Sequence, residues 1–110
     1  MATILYAPAA ATAMRAAAPA AVLDVRDKGP QRVSLTMLSL PAASRRSGQG
    51  SAAMAALTAY ADAHSLTVTL TPDSSLGTPL AVLHRFYRAY GFHPVRNPEW
   101  LDTWTRYPVQ

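Results

Sequence analysis

Apolar and polar positions divide the chain into short alternating stretches and longer helical ones. Val22 to Lys28, VLDVRDK, reads as a short strand that turns at Gly29-Pro30. In Arg32 to Leu40, RVSLTMLSL, Val33, Leu35 and Met37 alternate as a half-buried strand requires. The phase then slips, because the next apolar positions are Leu38 and Leu40. A β-bulge within a residue of Met37 or Leu38 produces such a slip without ending the strand. A strand buried on both faces accounts for it too, since alternation then means little. Both readings stand at this point.

Ser51 to His64 has helical spacing, with Met54, Leu57 and Ala61 on one face and Ser51, Thr58 and Asp62 on others. Leu66 to Thr71, LTVTLT, predicts a strand with Leu66, Val68 and Leu70 on one side and three threonines on the other. Pro72 to Gly77 is a loop, and Thr78-Pro79 reads as a helix cap followed by a first-turn proline. The helix it opens runs to Tyr90 and stops at Gly91. Phe92 to Val95 and Thr103 to Tyr107 are the last two strands, and an alanine-rich helix is expected around Ala9 to Ala18. From Val22 onward the order is strand, strand, helix, strand, helix, strand, strand. That order predicts a mixed α/β sheet with helices against it.

Composition narrows this picture. With 110 residues the chain is one domain. It buries roughly two thirds of its unfolded surface, enough for an independent core. There is no cysteine, which excludes disulfides and thiolate catalysis and weighs against structural zinc. The net charge is +4, but the arginines are scattered apart from Arg45-Arg46 and Arg85/Arg88. That distribution reads as a mildly basic soluble protein and not as a nucleic-acid-binding face. No apolar run reaches the roughly 18 residues of a membrane span. The first 22 residues do not read as a signal peptide, because no basic residue precedes the apolar part and Pro8, Arg15 and Pro19 interrupt it.

The chemistry concentrates in two places. In PAASRRSGQGSAAMAAL, two of the five glycines, Gly48 and Gly50, stand one residue apart between a strand and a helix. Strand, glycine loop and helix offer backbone N–H groups and a helix N-terminus to an anion, and a Cβ there would hold a phosphate away. Arg45 and Arg46 add charge. A P-loop would need Lys-Ser/Thr after its second glycine, whereas Ser51-Ala52 follows Gly50. The three glycines of a dinucleotide fingerprint are also missing. An ordinary surface loop is the competing reading. The second place is FYRAYGF, Phe86 to Phe92, where Tyr87 and Tyr90 follow Leu83 on the last helical turns. Core packing suits Tyr90. For Tyr87, packing and proton donation both remain open. His64, His84 and His93 have no metal-like spacing, and Asp24 and Asp27 are the candidates for a general base.

Arg45-Arg46-Ser47-Gly48-Gln49-Gly50 resembles the Gln/Arg-x-x-Gly-x-Gly/Ala element of the GNAT superfamily of N-acetyltransferases, and FYRAYGF is similar to that family's second signature. Taken with LSLP, YAD and LTP, the pattern over residues 33 to about 97 resembles the short GNAT-like proteins of bacteriophages and prophages. The resemblance implies a mixed, mainly antiparallel sheet flanked by helices, with a shortened N-terminal part. It divides the chain into an Ala-rich segment (1–21), an acetyl-CoA-binding core (22–97) and a C-terminal strand region (98–110). It implies transfer of an acetyl group from acetyl-CoA to an amine by direct attack, with no enzyme nucleophile and no metal. The cosubstrate would lie on Arg45, Arg46, Ser47, Gly48, Gln49, Gly50 and Ser51 for its pyrophosphate and on Leu38, Ser39 and Leu40 for its pantetheine arm. Tyr87 would protonate the departing thiolate. Acetyl-CoA and an amine are the expected partners, a homodimer is one expected assembly, and the cytoplasm, a host's if the chain is phage-encoded, is the expected compartment. The chain departs from the family pattern at Leu80, where many members have Asn, and its proline-to-arginine loop is one residue longer than in many relatives. About twenty Ala-rich residues stand where the family has a first strand and two helices. The alternative is a non-catalytic phage structural or interaction protein on the same fold.

Overall fold

A computed structural model describes residues 5–41, 48–95 and 97–109. Helix α1, Ala7–Ala17, presents Ala7, Ala10, Ala11 and Met14 to the core at helical spacing. Its first turn is capped from a distance: the Asp27 carboxylate accepts the Tyr6 N–H at 2.9 Å and the Ala7 N–H at 3.1 Å. Asp27, a candidate base in the sequence, therefore does a helix-capping job.

Strand β1, Val22–Gly29, turns directly into the antiparallel β2, Arg32–Ser39. Met37 faces Asp24 while Leu35 faces Val25, so Thr36 is an extra residue on β2. The expected irregularity is thus present, one residue from Met37. The strand is also buried on both faces at Val33, Ser34 and Leu35, so each sequence reading describes a different half of it. Asp24 holds the bulge, accepting a hydrogen bond from Thr36 Oγ1 and one from Arg26 Nε at 2.8 Å.

Helix α2, Gln49–Ala63, starts two residues earlier than its apolar spacing indicates. Gly48 caps it in the left-handed conformation, φ 81°, which glycine adopts without cost. Strand β3, Thr67–Leu70, pairs parallel to β2. It is central, so Thr69 is as buried as Val68 and Leu70. A single 3₁₀ turn at Ser74–Leu76 precedes helix α3, Leu80–Ala89. The side-chain cap expected from Thr78 does not form; Pro79 occupies the cap position. Gly91 ends the helix at φ 91°, and a Cβ there would lie 3.3 Å from Arg106. Strand β4 is only His93–Pro94, shorter than expected, although the Val95 N–H still reaches the Thr103 carbonyl at 2.9 Å. Strand β5 is Trp104–Arg106.

The sheet order is β1-β2-β3-β5-β4, antiparallel except for β2 and β3. Leu23, Val25, Val33, Leu35, Val68 and Leu70 share one core with the buried faces of α1 and α2. Among the described residues no helix is long and apolar enough to cross a membrane.

One ion pair ties the helical layer to the last strand. Arg106 donates to both Asp62 oxygens at 2.8 and 2.9 Å and to the Tyr90 carbonyl at 2.8 Å, while the Val109 N–H reaches Asp62 at 2.9 Å. The Arg106 hydrogen bonds hold the Asp62 carboxyl below its ordinary value. A lowered folded-state value contributes stability above the unfolded value and loses it as pH falls through the folded one. The side chains are 8% and 31% exposed. Asp62→Asn should therefore cost about 2 kcal/mol at neutral pH, between an exposed and a buried pair. Urea titration of both proteins checks this. The gap should narrow as pH drops below about 4, and a gap that stays constant to pH 2 contradicts the assignment.

Candidate functional site

Pairing between β2 and β3 ends at Leu35–Leu70, yet β2 continues to Ser39. Beyond that point β2 has only β1 beside it, and the Thr36 bulge turns it away. The two parallel strands open into a cleft of about 360 Å³, with α3 across the opening and the start of α2 at one end. Leu38 and Ser39 line it from β2 with Leu40 just beyond the strand, Gly50 from α2, and Phe86 and Tyr87 from α3. The structure thus brings Leu38, Ser39, Leu40, Gly50 and Tyr87 together around one cleft.

Gly50 sits in the first turn of α2, where the leading N–H groups have no carbonyl within the helix. A Cβ on it would lie 3.5 Å from Leu40 Cδ1 and 3.8 Å from Phe86 Cζ. Its missing side chain is what keeps this end of the cleft open to a bulky group. Gly48 has nothing within 4 Å of its would-be Cβ. Gln49 turns elsewhere and accepts the Ala20 N–H at 2.9 Å through its side-chain oxygen. Ser51 is exposed, and its carbonyl accepts the Tyr90 hydroxyl at 3.3 Å. Tyr90 is thereby a tie between α3 and α2, in line with its packing assignment. Arg45, Arg46 and Ser47 lie outside the described residues.

Tyr87 is 8% exposed, its ring edge-on to Phe86 and Phe92 at centroid distances of 5.3 and 6.0 Å. Burial pushes its phenol up from the ordinary value, so the hydroxyl stays protonated at neutral pH. Among the described residues that hydroxyl has no hydrogen-bond partner, and Tyr87 is one of the residues lining the cleft. A protonated donor without a structural task is the property a general acid needs.

Neither sequence candidate for a base reaches the cleft. Asp24 is bound to Thr36 and Arg26, in that order of effect, and both hold its carboxyl below the usual range. Two acidic residues were missed. Asp73 lines the cleft and accepts the Ser75 N–H at 2.8 Å, a short-range turn legible in TPDSS. Asp102, in WLDTW, accepts from hydroxyls far away in sequence and left no local trace. Among the described residues no group of three or more potential metal ligands occurs.

No protein-family model matches the chain, and no curated protein is significantly similar to it. Among solved structures it is similar to the crystal structure of Ard1 from Thermoplasma volcanium. The TM-score is 0.61 at 19% identity, over 96% of this chain and 82% of that one. The likeness shows the fold: a mixed, mostly antiparallel five-stranded sheet with three helices, GNAT-like as the sequence motifs implied.

Proposed function

We propose that this protein is an acyl-CoA-dependent N-acetyltransferase that moves an acetyl group from acetyl-CoA to an amine. The observation that carries the reading is the split between β2 and β3. It lies between a glycine-bearing helix start and a buried, protonated tyrosine. Ard1, the structural neighbour, is an N-acetyltransferase of the same fold, which supports the reading at the level of reaction class. Residues 22–97 form the cosubstrate-binding core in this account.

The opened edge of β2 at Leu38 and Ser39 offers its backbone to the amides of the pantetheine arm, much as a neighbouring strand would, and Leu40 continues the wall of the cleft. The N–H groups from Gly48 to Ser51 and the positive end of α2 take the pyrophosphate, with Arg45, Arg46 and Ser47 completing the loop. The amine lone pair attacks the thioester carbonyl. The C–N bond forms and the C–S bond breaks; the nitrogen gives its surplus proton to solvent, while the Tyr87 phenol gives its proton to the departing thiolate and is reprotonated from solvent.

Acetyl-CoA at a hundred times its dissociation constant should stabilise the folded protein by about 2.7 kcal/mol. For a chain of this size that is a rise in melting temperature of roughly 10 °C. No shift at millimolar acetyl-CoA would overturn the reading. It would favour instead a phage structural or interaction protein that uses the fold as a scaffold.

A further inference from the structure

The second face of the sheet carries a carboxylate that acetyl transfer, as described, leaves without a task. Ser34, Thr69 and Thr105 stand side by side across β2, β3 and β5. They point away from the face that Leu35 and Leu70 share with the helices. Asp102, from the segment between β4 and β5, sits on this row. Its Oδ2 accepts hydrogen bonds from Ser34 Oγ and from Thr69 Oγ1, the latter at 2.7 Å. Its Oδ1 accepts one, from Thr71 Oγ1 at 3.1 Å. Arg32 is near but otherwise engaged, donating to Thr69 Oγ1 at 3.0 Å and stacking on Trp100 at 4.6 Å. Among the described residues no cation pairs with Asp102.

A carboxylate has about four acceptor positions, two on each oxygen. Both on Oδ2 are filled, and one on Oδ1 is open. The Thr71 hydroxyl holds the other position on Oδ1. Thr71 is the residue immediately after the last β2–β3 pair, and it lines the cleft. A rigidly held carboxylate with no ion-pair partner among the described residues therefore stands against Thr71 at the edge of the split, on the face opposite α2.

We propose that Asp102 anchors the acceptor: Oδ1 receives an N–H from the ammonium group of an alkylamine entering the split from the hydroxyl-lined face. This rests on the N-acetyltransferase reading and assigns its acceptor class, cationic alkylamines in preference to amines that are neutral at pH 7. The bound ammonium loses one proton to solvent before its lone pair attacks the thioester, and the nitrogen loses a second to solvent as the amide forms. The product amide is neutral, so its attraction to Asp102 falls once the acetyl group is in place, which favours release.

The test uses n-butylammonium chloride as probe and n-butanol as its neutral match. Each is titrated into the parent protein and into Asp102→Asn, following the amide resonances of Thr71, Asp102 and Thr103. Acetyl-CoA affinity is measured by calorimetry on the same samples. Expected are saturable shifts with n-butylammonium in the parent, weakened about five-fold or more in Asp102→Asn. No saturable shift is expected with n-butanol. If Asp102→Asn does not fold, the comparison of the two probes on the parent decides alone. Equal binding of both probes, no saturable binding of n-butylammonium, or equal binding by parent and folded variant overturns the proposal. Failure of the parent to bind acetyl-CoA overturns the N-acetyltransferase reading instead.

Discussion

Gly50→Val abolishes acetyl-CoA binding and leaves the protein folded. Gly50 has an ordinary helical backbone, so a side chain there strains nothing locally. A lone Cβ would make normal van der Waals contacts with Leu40 and Phe86. The two further methyls of valine would project between these side chains, into the end of the cleft beside the free N–H groups of α2. Displacing the pyrophosphate from two such donors removes two charge-assisted hydrogen bonds of about 1.5–3 kcal/mol each, a loss of affinity of roughly 10²-fold or more. Gly50→Ala should keep most of the binding. Gly48 behaves differently. Its φ of 81° disfavours any side chain, so Gly48→Val costs about 1–2 kcal/mol of stability as well as affinity. Calorimetric titration together with melting curves separates the two effects. Parent-like binding by Gly50→Val would show that the start of α2 is not the pyrophosphate site.

Tyr87→Phe lowers turnover by roughly 10²-fold while acetyl-CoA still binds. The substitution keeps the ring against Phe86 and Phe92 and removes one oxygen. No described residue bonds that oxygen, so no partner is orphaned and the cost in stability should stay below the about 1–3 kcal/mol of a broken buried hydrogen bond. A general acid contributes about 10²–10⁴-fold, and a thiolate is already a fair leaving group, which sets the low end. Steady-state transfer and melting temperature on the same samples give the answer. Unchanged turnover per folded molecule would make Tyr87 a packing residue only.

What could be read from the sequence was set by local physics. The slip after Met37 exposed the bulge because an extra residue inverts a period-two pattern within the strand itself. The paired glycines marked the start of α2 because Gly48 takes a positive φ and Gly50 leaves the end of the cleft uncrowded. The motif resemblance then joined these two points to Tyr87. Features built from distant residues stayed hidden. Asp102 meets Ser34 across 68 positions and Thr71 across 31. The cap of α1 comes from Asp27, 20 residues after Ala7. Arg106, in TWTRY, is buried because Asp62, 44 positions earlier, is there to receive it. Periodicity reports which face is apolar, and it carries no information on which polar residues will find each other through the fold.

The order β1-β2-β3-β5-β4 has a consequence for biosynthesis. Strand β5 follows every other described element in the chain, yet it lies in the sheet between β3 and β4. Until residues past Arg106 have left the ribosome, β3 has a bare edge and β4 has nothing to pair with. A nascent chain folding from its N-terminus therefore passes through a state with an apolar central strand open on one side, the kind of edge on which chains associate with one another. Stalling translation before Trp104 would hold the protein in that state.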